Sequence, residues 1–312
     1  MLGLLVMLGQ APPAPAHTEE INSKIVIGYE GGFIEGQVTS PEDVCERNRV
    51  VRIYLNDTLL GERNTTDNGR WQMSRPNADG LVRAVAARKD FGGSGHDHTC
   101  KLRRSVIVKV GPVFGSGSYL ADDGANDVTF APDPCPNLAA PGWTMNDCVE
   151  IGNIAVGTTE FKKGTGGTAW LAKVWLPAAG SGEWATALVA GDETGGQFSV
   201  IDVLARNLGD GPEKELIFGY RIDGSGSYLA YDVVKIFGGS GPEVKVHRGE
   251  FEGGSADAKQ SSIDDYYPLF RTNCQAPCSP RSWIRSTIDF SNGAYRIIAV
   301  KQVDQAVPSD LG

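Results

Sequence analysis

Three histidines carry the sharpest chemical possibility in this 312-residue chain: His17, which follows "APPAPA", and His96 and His98, two apart in "GGSGHDHTC". Cleavage after Ala16 would make His17 the first residue, offering its amine and an imidazole nitrogen together. His96 or His98 would then complete a three-nitrogen set, a donor type that suits Cu(II). Against this brace stands a flexible terminus over 17–22 beside a polar loop, because the first alternating run begins only near Lys24. Oxygen-rich loops are the second possibility, since calcium takes carboxylates and carbonyls gathered in a tight turn. Asp210 and Glu213 in "RNLGDGPEKE" form one such loop; Asp122, Asp123, Asn126 and Asp127 in "DDGAND" form another. Acidic turns are more often solvated than occupied, so no cofactor is expected, with calcium the ion these loops would take.

Nucleophilic and acid–base sets are poorer. No G-x-S-x-G elbow occurs, and the "GSG" repeats lack its spacing. His247 is the only histidine after residue 98, and it lies in the alternating run "KVHRGEF". Asp264 and Asp265 are adjacent carboxylates, and neighbours on a strand face opposite sides, so they cannot flank one glycosidic bond. Tyr266 and Tyr267 beside them read as a buried pair, or as an aromatic-acidic surface for sugar. Six tryptophans invite a carbohydrate-binding reading. Trp170 and Trp175 have opposite strand parity, however, and aromatics of this size are mostly core. Trp143, between Cys135 and Cys148, is the one expected to be exposed. The sequons at Asn56 and Asn64 are read as chance matches.

The positioning of all these groups depends on where the chain lives. "MLGLLVMLGQAPPAPAH" has an apolar core followed by small residues ending in Ala14-Pro15-Ala16, a signal-peptide pattern over 1–16 that lacks its basic start. It is too short to span a bilayer. Six cysteines agree with export and permit 15 pairings; proximity favours Cys45–Cys100, Cys135–Cys148 and Cys274–Cys278. Net charge is −9, and it is uneven: 14 Lys/Arg against 11 Asp/Glu over 21–110, and 15 against 25 over 111–312. Neither half carries the basic stripe that would neutralise phosphates, so nucleic acid is not an expected partner.

The elements are strands. Forty glycines are well above the roughly 7% of ordinary proteins, and short Val/Ile/Thr runs alternate with period two between turn signals. Over 23–111 these runs are "KIVIGYE", "FIEGQVT", "VVRIYLN", "GRWQMS", "LVRAVAA" and "SVIVKV", spaced as in a β-sandwich. In "TTDNGRW", Gly69 supplies the positive φ of a tight turn and Trp71 starts the next strand inward. These pieces, with the cysteines at 45 and 100, resemble the Ig-like or transthyretin-like modules of secreted actinobacterial proteins, which are similar to carboxypeptidase regulatory domains. That resemblance implies a stalk, spacer or adhesion element.

From 112 the composition shifts toward Gly, Asp and Pro, which places a boundary near Gly111-Pro112. "TAWLAKVWLP", "WATALVAG", "SYLAYDVVKIF" and "AYRIIAVKQV" read as further strands. "ARNLGDGPEKELIFGY", "CQAPCSPRSW" and "STIDFSNGAYRI" resemble the VCBS or FG-GAP-like extracellular domains, including a group of mycobacterial lipoproteins. Against the FG-GAP calcium loop, Arg206 or Asn207 stands where the first Asp belongs, and Leu208 or Gly209 at the next ligand position. "GSGSYLADD" at 115–123 and "GSGSYLAYD" at 224–232 read as a recurring turn, with Tyr119 and Tyr228 each opening a strand.

The chain is therefore expected to be all-β: an Ig-like β-sandwich over 23–111 and a larger Gly/Asp-rich β domain over 112–312. The function expected of it is non-catalytic structure, adhesion or ligand binding at the cell envelope, toward an extracellular protein or glycan. A carbohydrate-binding module and a copper enzyme built on His17 are the alternatives. Edge-strand addition between copies is a route to self-assembly.

Overall fold

The computed structural model describes residues 17–312 apart from 94–95, 114–117, 122–127, 131–134, 136–137, 179–182, 193–195, 210–213, 223–227, 238–240, 271–278, 292–293, 308–310 and 312. The protein is all-β. In chain order the first strands are β1 (His17–Ile21), β2 (Lys24–Glu30), β3 (Phe33–Thr39), β4 (Val50–Leu55), β5 (Thr58–Asn64), β6 (Arg70–Ser74), β7 (Gly80–Ala86), β8 (Lys89–Gly93), β9 (His96–Cys100), β10 (Arg103–Arg104), β11 (Val108–Pro112) and β12 (Val128–Phe130). There follow β13 (Thr144–Ile151), β14 (Ala155–Gly164), β15 (Gly167–Pro177), β16 (Glu183–Asp192), β17 (Phe198–Arg206), β18 (Glu215–Ile222), β19 (Tyr228–Phe237), β20 (Gly241–Glu252), β21 (Ser255–Ala258), β22 (Ile263–Leu269), β23 (Ser282–Ser291) and β24 (Ala294–Val303). A 3-10 turn covers Asp43–Cys45. Among the described residues no helix is long and apolar enough to cross a membrane.

Two compact units result. One comprises the chain up to Ile27, Glu35–Met73 and Arg83–Val106; the other comprises Gly28–Ile34, Ser74–Val82 and Ile107–Gly312.

In the first unit, local chemistry sets the turns. β4 and β5 form a hairpin closed by Asn56 and Asp57, both at positive φ (47° and 64°), as a two-residue turn matched to strand twist requires. The turn at 66–70 is as the sequence implies: Gly69 sits at φ +75°, its carbonyl accepts from Val38 N, and a Cβ there would fall 2.0 Å from Val38 O. Trp71 turns inward and lies over Gly36, where a Cβ would meet its ring at 2.5 Å. β1 corrects the expectation of a free terminus, because His17–Ile21 is a strand parallel to β9, in a three-stranded sheet of order β1-β9-β8. Its run "HTEEI" has no apolar alternation to reveal it. Ile21 anchors its end against the Cys45–Cys100 disulfide.

That disulfide closes 55 residues, whereas Cys135–Cys148 in the second unit closes 13. On the chain-entropy account, replacing both Cys45 and Cys100 by alanine costs about 4 kcal/mol and replacing Cys135 and Cys148 about 3 kcal/mol. Urea unfolding of the two double variants should reproduce that order. A Cys45/Cys100 variant within about 1 kcal/mol of the parent would show that the loop is already ordered without the bridge. Cys274 and Cys278 lie outside the described residues.

The second unit is built from three successive antiparallel meanders: β13 to β16, β17 to β20 and β21 to β24, each with sequence neighbours paired. β12 extends the first beside β16, and β11 extends the third beside β24. The first two meanders bury a common core. Trp170, Val174 and Leu188 pack with Ile201, Val203, Leu216 and Phe218. Gly157 permits that approach, since a Cβ there would come within 2.9 Å of Val203. Trp170 and Trp175 are both buried, despite their opposite parity, because β15 is covered on both faces and bulges at Val174/Trp175.

Candidate functional site

The most concentrated chemistry in the second unit straddles β19 and β20. Their register sets Tyr231 opposite Arg248 and Asp232 opposite His247. Alternation then sends the two pairs to opposite faces of the meander.

On one face the Asp232 carboxylate is fully buried. His247 Nδ1 lies 2.6 Å from its Oδ1. Its Oδ2 accepts from Tyr220 Oη at 3.1 Å and from the backbone N–H of Tyr119 and Leu120 at 3.1 and 3.3 Å. The Tyr119 ring stands edge-on to Phe198, Tyr220 and His247 at 4.9–5.3 Å between centroids, enclosing the cluster in aromatic surface. Burial first, then the neighbouring carboxylate, pushes the Tyr220 hydroxyl well above the usual phenol range, so it donates and does not ionise.

On the other face Asp265 is equally enclosed. Tyr231 Oη donates to its Oδ1 at 2.7 Å, and Arg248 Nε donates to its Oδ2 at 2.8 Å. Burial raises the Asp265 pKa against the opposing pull of Arg248 and Tyr231. Burial, the largest influence, would lower the Arg248 pKa, but Asp265 and Tyr231 together raise it. Asp264, one residue away, points elsewhere and meets Lys259 Nζ at 2.6 Å. The two aspartates therefore serve separate partners, as strand parity requires. Tyr266 is buried and Tyr267 is 53% exposed, so they are not the buried pair expected.

A His–Asp pair of this geometry orients an imidazole as it would in a general base. Here the aspartate's second oxygen is occupied by three donors that tie the 119–120 segment to the meander. Sequence reading missed the cluster because its members come from "GSGSYL", "LIFGYR", "SYLAYD" and "KVHRGE". The signal within reach was the duplicated nonapeptide, since Asp232 closes the second copy and grips Tyr119 and Leu120 of the first. Tyr228 opens β19, but Tyr119 lies in a bend followed by a single bridge from Ala121 to Val189, so it does not open a strand as expected. The glycines of both copies lie outside the described residues.

The other sequence-predicted residues fall as follows. Asp210 and Glu213 lie outside the described residues, as does the stretch from Asp122 to Asp127. His17 and His96 are register partners across β1 and β9, and His98 is two residues further on the same face of β9. Among residues whose side chains are described, no group of three His, Cys, Asp or Glu is placed to hold a metal ion. Of the six tryptophans, Trp71, Trp170, Trp175 and Trp184 are buried, while Trp143 and Trp283 are half-buried. The exposed aromatic rings among the described residues are Phe33, Tyr267 and Phe270.

A residue no motif pointed to is Arg49, in the first unit. It is completely buried and donates to Ala87 O at 2.9 Å, Ser23 Oγ at 2.6 Å, Cys45 O at 3.2 Å and Lys101 O. Burial, with Arg103 nearby, lowers its pKa. A surface groove of about 400 Å³ beside it is lined by Asn22, Ser23, Lys24, Thr39, Ser40 and Pro41. No family model matches the chain, and neither the curated proteins nor the solved structures provide a match to it.

Proposed function

We propose that the chain is a non-catalytic structural or ligand-binding protein of the cell envelope, exported and disulfide-stapled. The observation that carries this reading is how the second unit uses its buried ionisable groups. Asp232 and Asp265 each join strands distant in sequence, and Glu215 does the same by accepting from Tyr295 Oη and Leu208 N at 2.8 and 2.9 Å. Carboxylates fully engaged in this way act as cross-links between strands. Two disulfides support an oxidising compartment, and the resemblance to Ig-like and VCBS-type modules supports an adhesive or spacer role.

Fractionation of the native host, with non-reducing peptide mapping, tests this directly. The chain should be recovered outside the cytoplasm with Cys45 linked to Cys100 and Cys135 to Cys148. Purified protein should also co-sediment with isolated cell-envelope material. A cytoplasmic chain with free thiols would refute export. Turnover on a hydrolase or oxidase substrate panel, abolished by His247→Gln in a folded variant, would refute the non-catalytic role.

A further inference from the structure

Strands β2 and β3 pair with each other, and their open end brings the β1–β2 connection, Asn22 and Ser23, against residues 39–41. The groove of about 400 Å³ at this end is lined by those residues and by Lys24, so Pro41 is its only apolar wall. All of it belongs to the first unit. Ser40 Oγ donates to Asn22 O at 3.3 Å and ties one side of the groove to the other.

Two guanidinium groups stand behind the lining. Arg49 Nη1 donates to Ser23 Oγ at 2.6 Å, while Arg103 donates from Nε to Ser23 O at 3.0 Å and from Nη2 to Asn22 Oδ1. A guanidinium can only donate. Asn22 therefore turns its oxygen to Arg103 and its NH2 away from it. Ser23, having accepted from Arg49, still has its own hydroxyl hydrogen to give. Among the described residues no acceptor takes either of these donors. Each is polarised by the cation bonded behind it, which strengthens the bond it offers to an anion.

Charge at this place is one-sided. Among the described residues no carboxylate pairs with Lys24, Arg49 or Arg103, whereas Lys101 meets Glu20 at 2.6 Å and Arg88 meets Asp90 at 2.9 Å. Burial, then the positive charge of Arg103, lowers the Arg49 pKa; Lys89 is lowered by burial, then by Arg47 and Arg49. The carboxylate bonded to the rim of the groove is Glu46, and its Oε1 accepts from Ser40 N at 2.6 Å.

We propose that this groove binds one tetrahedral oxyanion, a phosphate or sulfate group, free or as a monoester. Lys24 supplies the direct charge. Asn22 Nδ2 and Ser23 Oγ donate from the β1–β2 connection, and Thr39 Oγ1 donates from the facing side. Donors on two sides suit oxygens that point in divergent directions, whereas a carboxylate holds both of its oxygens in one plane. Arg49 and Arg103 act from behind, through Ser23 and Asn22. The site goes beyond the structural role proposed above and does not depend on export or on catalysis.

The test uses the tag-free chain, titrated at constant ionic strength with inorganic phosphate, sulfate, methyl phosphate, methyl sulfate and acetate. Calorimetry reads stoichiometry and affinity, and backbone amide chemical shifts read location. Saturable binding of one equivalent of phosphate or sulfate is expected, with the largest shifts at residues 22–24 and 39–40 and no saturation by acetate. Tighter binding of the methyl esters would identify an esterified group as the ligand, and the reverse order a free ion; both support the site. Lys24→Gln should weaken affinity about 10-fold, as the loss of one charge-assisted hydrogen bond does. Asn22→Asp keeps an oxygen on Arg103 but places a charge of the ligand's own sign in the groove. It should abolish binding while leaving the melting temperature at or above that of the parent. Lys109→Gln, an exposed change on β11, should leave affinity unchanged. Absence of saturable binding, an equal response to acetate, or affinity unchanged in Asn22→Asp would each overturn the proposal.

Discussion

Replacing Arg49 by methionine is expected to destabilise the first unit by roughly 3–5 kcal/mol, the range seen when a buried charged network loses its central member. Among the described residues no carboxylate pairs with Arg49; its guanidinium is solvated by the carbonyls of Cys45, Ala87 and Lys101 and by the Ser23 hydroxyl. These acceptors lie at the end of the 3-10 turn, between β1 and β2, after β7 and after β9, so one side chain joins four segments of the first unit. Methionine retains the stem's apolar contacts and removes the donors, leaving buried acceptors unpaired at about 1–3 kcal/mol for each group that cannot reach water. Arg49→Lys should fall between, because one ammonium cannot reproduce the planar fork that serves all the acceptors. Urea denaturation with the disulfides intact reads the difference. A methionine variant within about 1 kcal/mol of the parent would show that water enters and replaces the guanidinium.

Arg49 also marks what the sequence conceals. The alternating runs "KIVIGYE", "FIEGQVT", "GRWQMS" and "LVRAVAA" are strands β2, β3, β6 and β7, because their inward positions are apolar and period two survives. β14 and β22 were not legible in the same way. In β14, Thr158, Thr159 and Glu160 are all buried, and in β22 Asp264 and Asp265 are buried next to one another. Such positions break hydropathy alternation, since what makes burial tolerable is a donor such as Tyr231, Arg248 or Lys259 supplied from another part of the chain. Pattern reading sees one segment at a time and cannot see that compensation. β1 failed for a different reason. A short strand whose single buried apolar residue is Ile21 has no alternation to reveal, so the register of His17 with His96 follows from strand pairing and not from composition. The histidines were identifiable as candidates from residue type, whereas Glu19 and Phe91, which flank His98, needed the register.

The second large effect is expected at Asp232. Asp232→Ala removes the acceptor for Tyr220 Oη and for the amides of Tyr119 and Leu120, and it strands His247, at a cost of roughly 3–5 kcal/mol. Asp232→Asn is the more discriminating change, because it keeps the volume while turning one of two acceptor oxygens into a donor. The amide oxygen can serve His247 or the 119–120 segment, but not both. Turned with that oxygen toward Tyr220 Oη and the 119–120 amides, it presents its NH2 to His247 Nδ1, which accepts in the neutral Nε2–H tautomer. The asparagine variant should therefore cost less than alanine, its loss being the charge-assisted strength of the bonds that Oδ2 accepts. Its signature is local: hydrogen exchange at the Tyr119 and Leu120 amides should accelerate well before the β18–β19 ladder opens, since those two amides bond to Asp232 and not to a neighbouring strand. His247→Gln should leave the same amides protected, because it removes the partner of Oδ1 and leaves Oδ2 in place. If both variants released the 119–120 amides equally, the carboxylate would be positioned by His247 and the segment held only through that pair. If neither did, the aromatic packing of Tyr119 on Phe198 and Tyr220 would hold the segment, and Asp232 would be free for a role in chemistry.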